Sequence, residues 1–161
     1  MKLLVKSSDG FHTVIIDECD SYLSKWKWHL GTDGSVARNR RNGQERRIHR
    51  IIMGAKKGEY VDHINHNPLD NRRENLRICT NQENNWNKPP TAGKKYKGTS
   101  RNPASKKNPW CAFIKKDYKS LYLGSFKTEE MAALEYNKFA KELFGEFAYL
   151  NAVPTGGDYE G

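Results

Sequence analysis

Val61-Asp62-His63-Ile64-Asn65-His66-Asn67, then Asn71-Arg72-Arg73-Glu74-Asn75-Leu76, then Thr80-Asn81-Gln82-Glu83-Asn84-Asn85 are the stretches whose reading decides the fold of this chain. Tyr60-Val61 before Asp62 and Ile64 after His63 read as a strand that runs into the turn-rich loop His66-Asn67-Pro68-Leu69-Asp70-Asn71. Asn75-Leu76-Arg77-Ile78-Cys79 reads as the returning strand, with Leu76 and Ile78 on one face. Thr80-Asn81-Gln82-Glu83 has the form of a capping box, which predicts a helix start and places Asn84 in the first turns, able to face back toward the hairpin. A carboxylate, an imidazole and two amides are thus spaced along a strand–strand–helix unit. Such groups can hold one hard metal ion and deprotonate one water, the chemistry that cutting a phosphodiester requires. Adjacent strand residues face opposite ways, so Asp62 and His63 work together only if the loop from Asn65 turns one of them.

These residues in this order resemble the ββα-metal motif of the HNH nucleases, in the Asp-His, Asn, Asn form of phage and intron homing endonucleases. The resemblance implies that Asp62 is a metal ligand and His63 the general base that takes a proton from the attacking water. It implies that Asn75 is the central asparagine bracing loop and base, and that Asn84 is the second metal ligand; Asn81, Asn85 and Asn87 are near enough to compete for that place. Asn84 stands where a second His could bind a softer metal, and carboxylate and amide oxygens favour Mg²⁺ or Mn²⁺ over zinc. The implied reaction is single-metal hydrolysis leaving a 5′ phosphate and a 3′ hydroxyl, one strand per active site. His49-Arg50 resembles a pair common in this family, without a role that can be read from sequence, and His66 is left unassigned with a phosphate contact open to it. Each residue has a plainer reading too: Asp62, Asn67, Asn71 and Asn75 are all common turn formers.

Outward from this core, the chain of 161 residues carries a net charge of +9 with only 36% hydrophobic residues, so it can bury one modest core or two small ones. The charge is clustered. One run comprises Arg38, Arg40, Arg41, Arg46, Arg47, Arg50, Lys56 and Lys57; another extends from Lys88 to Lys119 with aromatic residues interleaved. Such runs neutralise phosphates and release counterions, which points to a polyanionic partner. Upstream, Asp9-Gly10, Asp33-Gly34 and Asn42-Gly43 signal hairpins among short strands, and Trp26 and Trp28 read as one face of a strand capping a small core. Ile48 to Met53 reads as a strand or a short helix ended by Gly54. Cys19, Cys79 and Cys111 are odd in number and widely spaced, which argues against a disulfide framework. With neither a signal-peptide pattern nor a membrane-spanning run, the expected setting is a reducing cytoplasm, that of a bacterial host if the chain is phage-encoded.

Downstream, Lys88-Pro89-Pro90-Thr91-Ala92-Gly93-Lys94-Lys95 reads as a linker. Lys97 to Arg101, Trp110 to Lys115 and Ser120 to Leu123 are strand-like, and Glu129 to Phe144 is an amphipathic helix with Thr128 as N-cap and Gly145 as its stop. The segments Tyr96-Lys97-Gly98-Thr99-Ser100, Leu123-Gly124-Ser125-Phe126, Ala132-Ala133 and Leu150-Asn151 are similar to the plant ethylene-response-factor DNA-binding domain. That family lays a three-stranded sheet in the major groove with one helix behind it. The resemblance implies a DNA-facing surface of Lys97, Ser100, Arg101, Phe113, Lys115, Ser120 and Tyr122, while Ser100, Phe113 and Ser120 depart from the plant pattern, so its recognition sequence does not carry over. The expected class is α+β, with a β-rich region and nuclease motif over 1–88 (core 60–88), a linker over 89–95, the sheet-and-helix module over 96–152 and a flexible tail over 153–161. The expected function is a site-directed, metal-dependent endonuclease of homing type acting on double-stranded DNA as a monomer or weak dimer. Its competitors are a non-catalytic DNA-binding protein and an RNA-binding module.

Overall fold

The structure, a computed structural model, describes residues 1–39 and 45–154. Arg40, Arg41, the Asn42-Gly43 turn and the tail from residue 155 lie outside the described residues. The chain is of mixed α+β class and divides into two compact units, Met1–Asn85 and Trp86–Gly161. That division falls within a helix, a few residues ahead of Pro89-Pro90.

In the first unit, β1 (Lys2–Ser7) and β2 (Gly10–Ile15) form a hairpin in register from Lys2↔Ile15 to Ser7↔Gly10. The pair turns over Ser8-Asp9, and Gly10 sits at φ 138°, a backbone open to glycine. Strands β3 (His29–Leu30), β4 (Val36–Asn39) and β5 (Glu45–Arg47) complete a five-stranded sheet of order β2-β1-β3-β4-β5. Strand alternation turns Leu3, Val5 and Val14 inward, where they meet Ile16, Leu23, Trp28 and Val36. Helix α1 (Ile48–Ile52) closes that core with Ile48 and Ile52, four residues apart on one helical face, so the ambiguous segment is a helix.

The tryptophans differ from the sequence expectation. Trp26 and Trp28 lie on no strand: Trp26 ends a 3₁₀ helix, Glu18–Lys25, and extended backbone follows. Trp28 is buried and donates its indole N–H to Leu23 O at 2.9 Å, whereas Trp26 is more exposed, with the Arg38 guanidinium 3.7 Å from its ring centre. Burying an indole requires a partner for its N–H, and the 3₁₀ turn supplies one to Trp28.

Strands β6 (Tyr60–His63) and β7 (Leu76–Cys79) form the second hairpin of this unit, followed by α2 (Asn81–Asn87). Leu76 is buried in the core but Ile78 is exposed, so the two do not share an environment. Alternation keeps both on one side of the ribbon, but the core cluster takes in Leu76 and not Ile78.

In the second unit, β8 (Thr99–Arg101), β9 (Trp110–Lys116) and β10 (Lys119–Phe126) make an antiparallel sheet of order β10-β9-β8. Helix α3 (Glu129–Phe144) packs behind it through Ala132, Ala133, Tyr136, Ala140 and Phe144, and its alanines allow close approach to Ala112 and Ile114. Thr128 caps α3 by accepting from Met131 N at 3.2 Å, and Gly145, at φ 54°, ends it. Asn151 closes the unit: its side chain accepts from Lys97 N at 2.7 Å and donates to Lys97 O at 3.0 Å. Trp86 stacks on Phe144 with ring centres 4.3 Å apart.

Candidate active site

Asp62 and His63 are the last two residues of β6, where the strand gives way to the loop. Asp62 stands across the hairpin from Arg77, whose Nε and Nη2 both donate to its Oδ2, at 3.0 and 2.8 Å. The pair is largely buried, with side chains 8% and 11% exposed, so each charge depends on the other for solvation. The His63 ring meets His49 edge-on, 5.1 Å between centres, and its Nε2 lies 3.2 Å from Asn71 Oδ1. Burial depresses the His63 pKa, opposed by the Asn71 hydrogen bond and by the carboxylates of Asp62 and Asp70. His49 is pushed down to about 3, by burial first and then by the neighbouring His63. Both shifts disfavour the charged rings, and a neutral His63 carries a lone pair able to take a proton.

The loop between the strands is held by its own amides. Asn75, 6% exposed, donates through Nδ2 to Asn65 Oδ1 at 2.9 Å and Asp70 O at 2.7 Å, and accepts from Asn65 N at 3.0 Å. Asn65 also donates to Asp70 Oδ2 at 3.0 Å, and Arg72 clamps the same carboxylate through Nε and Nη2. Arg72 holds the Asp70 carboxyl below the usual carboxylate range. His66, at φ 61°, takes the left-handed conformation that lets the loop reverse. The loop is also tied to the first sheet, because Ile15 N donates to Leu69 O and Asn71 N to Ile15 O, both at 2.8 Å. Arg73 adds an ion pair with Asp20, itself 1% exposed.

Helix α2 begins as the capping box predicts: Thr80 N donates to Glu83 Oε2 at 2.7 Å and Glu83 N to Thr80 Oγ1 at 3.2 Å. Asn84 N donates to Thr80 O at 3.0 Å. The Cys79 thiol is pushed up to about 11 by burial and then by the Asp62 carboxylate, and it also meets the backbone amide of Asn84. Of the competing amides, Asn85 donates to Asn81 Oδ1 at 3.5 Å in exposed positions, and Asn87 is buried. Among the described residues no group of three His, Cys, Asp or Glu side chains is arranged as a metal site.

The partners of three residues of this region were missed by the sequence reading. Arg77 could have been found from hairpin register, since it is the residue opposite Asp62. Arg50 donates to the carbonyls of Glu59, Ala55 and Lys56, bracing the segment that leads into β6, and nothing in the sequence announces those partners. Asn71 reads as one more turn asparagine, and only the fold brings it to His63.

In the second unit, the pairs Ser100↔Cys111, Phe113↔Tyr122 and Lys115↔Ser120 put Ser100, Phe113, Lys115, Ser120 and Tyr122 on the face away from α3. Phe113 and Tyr122 lie 5.4 Å apart at the centre of that face. A register shift between Tyr122 and Gly124 lets Ser125 follow on the same side, where its Oγ lies 2.6 Å from the Tyr122 hydroxyl. Arg101 alternates to the other side at the exposed strand end. Lys97 does not join the face. Its Nζ donates to Trp86 O and Lys88 O, each at 2.7 Å, and burial with the nearby Lys88 charge pushes its ammonium down to about 8. Among the described residues no helix is long and apolar enough to cross a membrane.

Comparison with known proteins gives matches for both units. A family model described as HNH endonuclease matches residues 46–86, the span of α1, the β6–β7 hairpin and α2. An uncharacterised HNH endonuclease of Acanthamoeba polyphaga mimivirus is 37% identical over 155 residues, covering 94% of this chain and 80% of that protein. Protein 3.8 of Escherichia phage T7 is 33% identical over 96 residues, 57% of this chain and 75% of that protein. Dehydration-responsive element-binding protein 2E of Oryza sativa subsp. japonica is 40% identical over 76 residues, 41% of this chain and 23% of that protein. No solved structure matches.

Proposed function

We propose, since this chain belongs to the HNH endonuclease family of phosphodiester hydrolases, that its β6–β7–α2 unit cuts DNA with His63 as general base. The observation that carries this reading is the setting of His63: a half-buried imidazole at the end of β6 beside Asp62, its Nε2 3.2 Å from the oxygen of a buried amide and its charged form disfavoured by burial. A base held neutral is ready to take a proton from water at physiological pH. Asn75 holds the loop that follows His63 through three hydrogen bonds, so the ring is offered from a rigid support.

Asp62 and Asn84 are the residues that would hold a divalent cation. Their oxygen donors suit a hard ion such as Mg²⁺ or Mn²⁺. Asn84 is preferred over Asn81 and Asn85 because those two amides bond one another at exposed positions. A bound cation would supply charge stabilisation to the phosphodiester as it is cut. The activity is of homing type, with 5′ phosphate and 3′ hydroxyl ends and one strand cut per active site. Target choice belongs to the outer face of the second sheet, through Ser100, Phe113, Lys115, Ser120 and Tyr122, with Arg101 at its margin. Lys97 is left out of that surface because its ammonium is held by backbone carbonyls.

Supercoiled plasmid incubated with the protein and Mg²⁺ tests the reading. Nicked circles with 5′ phosphate ends, abolished by EDTA, are expected. Plasmid that stays supercoiled with Mg²⁺ and with Mn²⁺ while still being bound would favour a DNA-binding protein without catalysis.

A further inference from the structure

We infer that Asn71 is a positioning residue that dictates which ring nitrogen of His63 carries the proton, so that Nδ1 is the nitrogen offered as base. The inference rests on the reading of His63 as the base and adds what sets its tautomer.

The argument follows from donors and acceptors. Asn71 is fully buried, 0% exposed, so its amide groups must find partners inside the protein. One end of that amide faces Pro68 O at 2.9 Å. A carbonyl oxygen only accepts, so the end facing Pro68 is the NH₂ group whichever way the amide is drawn. The other end, Oδ1, is then the atom 3.2 Å from His63 Nε2. Oδ1 cannot donate, so Nε2 must carry the hydrogen, and the lone pair of the neutral ring resides on Nδ1. When Nδ1 takes a proton from water, the Nε2–H bond to Oδ1 becomes charge-assisted and supports the imidazolium.

Asn71 is well placed for this task because its backbone is fastened independently of its side chain. Asn71 N donates to Ile15 O, Ile15 N donates to Leu69 O, and a parallel bridge joins Ile15 to Asp70. Asn75 holds Asp70 O from the other side at 2.7 Å. The end of β2 therefore anchors the amide that orients the base, which gives the N-terminal sheet a part in the site beyond burying a core.

The test reads the ring directly. In metal-free full-length protein labelled with ¹⁵N-histidine, at about pH 8, above the ordinary histidine range, long-range proton–nitrogen spectra should show His63 as a single Nε2–H tautomer. In Asn71→Ala the His63 signals should move toward an average of both tautomers. Asn71→Asp, which keeps an acceptor, should retain the Nε2–H form. Single-turnover cleavage with Mg²⁺ should fall by about 10- to 100-fold in Asn71→Ala, as for other residues that orient a reacting group, with DNA affinity changed less than about twofold. Asn71→Asp should recover much of that loss. A wild-type His63 in the Nδ1–H form overturns the inference without recourse to any variant, and so does a ring in Asn71→Ala indistinguishable from wild type. A His63→Ala protein that cuts at the parental rate would instead overturn the base assignment itself, leaving the tautomer result to stand as a structural fact.

Discussion

His49 couples the stability of this protein to acid. It is 7% exposed, packs edge-on against His63, and its Nδ1 has no hydrogen-bond partner among the described residues. With a folded pKa of about 3 against 6.5, the unfolded chain binds the proton first as pH falls. Stability tied to His49 is therefore complete above pH 6.5 and is lost between 6.5 and about 3, at up to about 1.4 kcal/mol per pH unit; the depressed His63 adds in the same direction. Urea midpoints measured from pH 7 to pH 4 should fall less steeply for His49→Leu than for the parent. Equal slopes would mean that His49 is solvated and titrates normally. A second residue-scale prediction concerns Gly98, at φ 78°, where a Cβ would run into the Tyr136 ring and come 2.7 Å from Phe113 O. Gly98→Ala should destabilise the second unit by roughly 2 kcal/mol or more, from strained backbone and overpacking together. A melting temperature within a degree of the parent would show that the helix can shift to admit it.

At the scale of elements, the start of α2 matters because Asn84 is carried there. Thr80 and Glu83 satisfy each other's backbone amides, and Thr80→Ala should cost about 1 kcal/mol of stability. Thermal unfolding would detect this, and no change would mean the helix start is held by packing alone. This element was legible because a capping box is local: both partners lie within four residues. The same holds for α3, where Thr128 and Gly145 bracket an apolar stripe, and for β9 and β10, whose alternation names their faces. What was not legible depends on distant partners. Trp26 and Trp28 show strand spacing, but a 3₁₀ turn supplies the hydrogen bond that burial of Trp28 needs. Lys97 looks like a phosphate contact until the chain brings the carbonyls of Trp86 and Lys88 to its ammonium. Asn71 is one of several asparagines in its loop, and its place beside His63 follows from a contact with β2 more than fifty residues earlier.

For the whole molecule, 28 basic against 19 acidic side chains leave a charge of +9, and the two units carry different parts of the proposed task. The first holds the hairpin with Asp62 and His63; the second presents an exposed sheet face with Phe113 and Tyr122 flanked by Lys115. If Lys115 meets a phosphate, Lys115→Ala should lower the slope of log affinity against log salt by about one and weaken binding to all duplexes alike. A slope unchanged by the substitution would place the DNA elsewhere. The most direct measurement for the central claim is single-turnover cleavage of supercoiled plasmid by the parent and by His63→Ala, with DNA affinity measured alongside. The account predicts a rate lower by about 10² to 10⁴ at nearly unchanged affinity; cleavage within a few fold of the parent would contradict it.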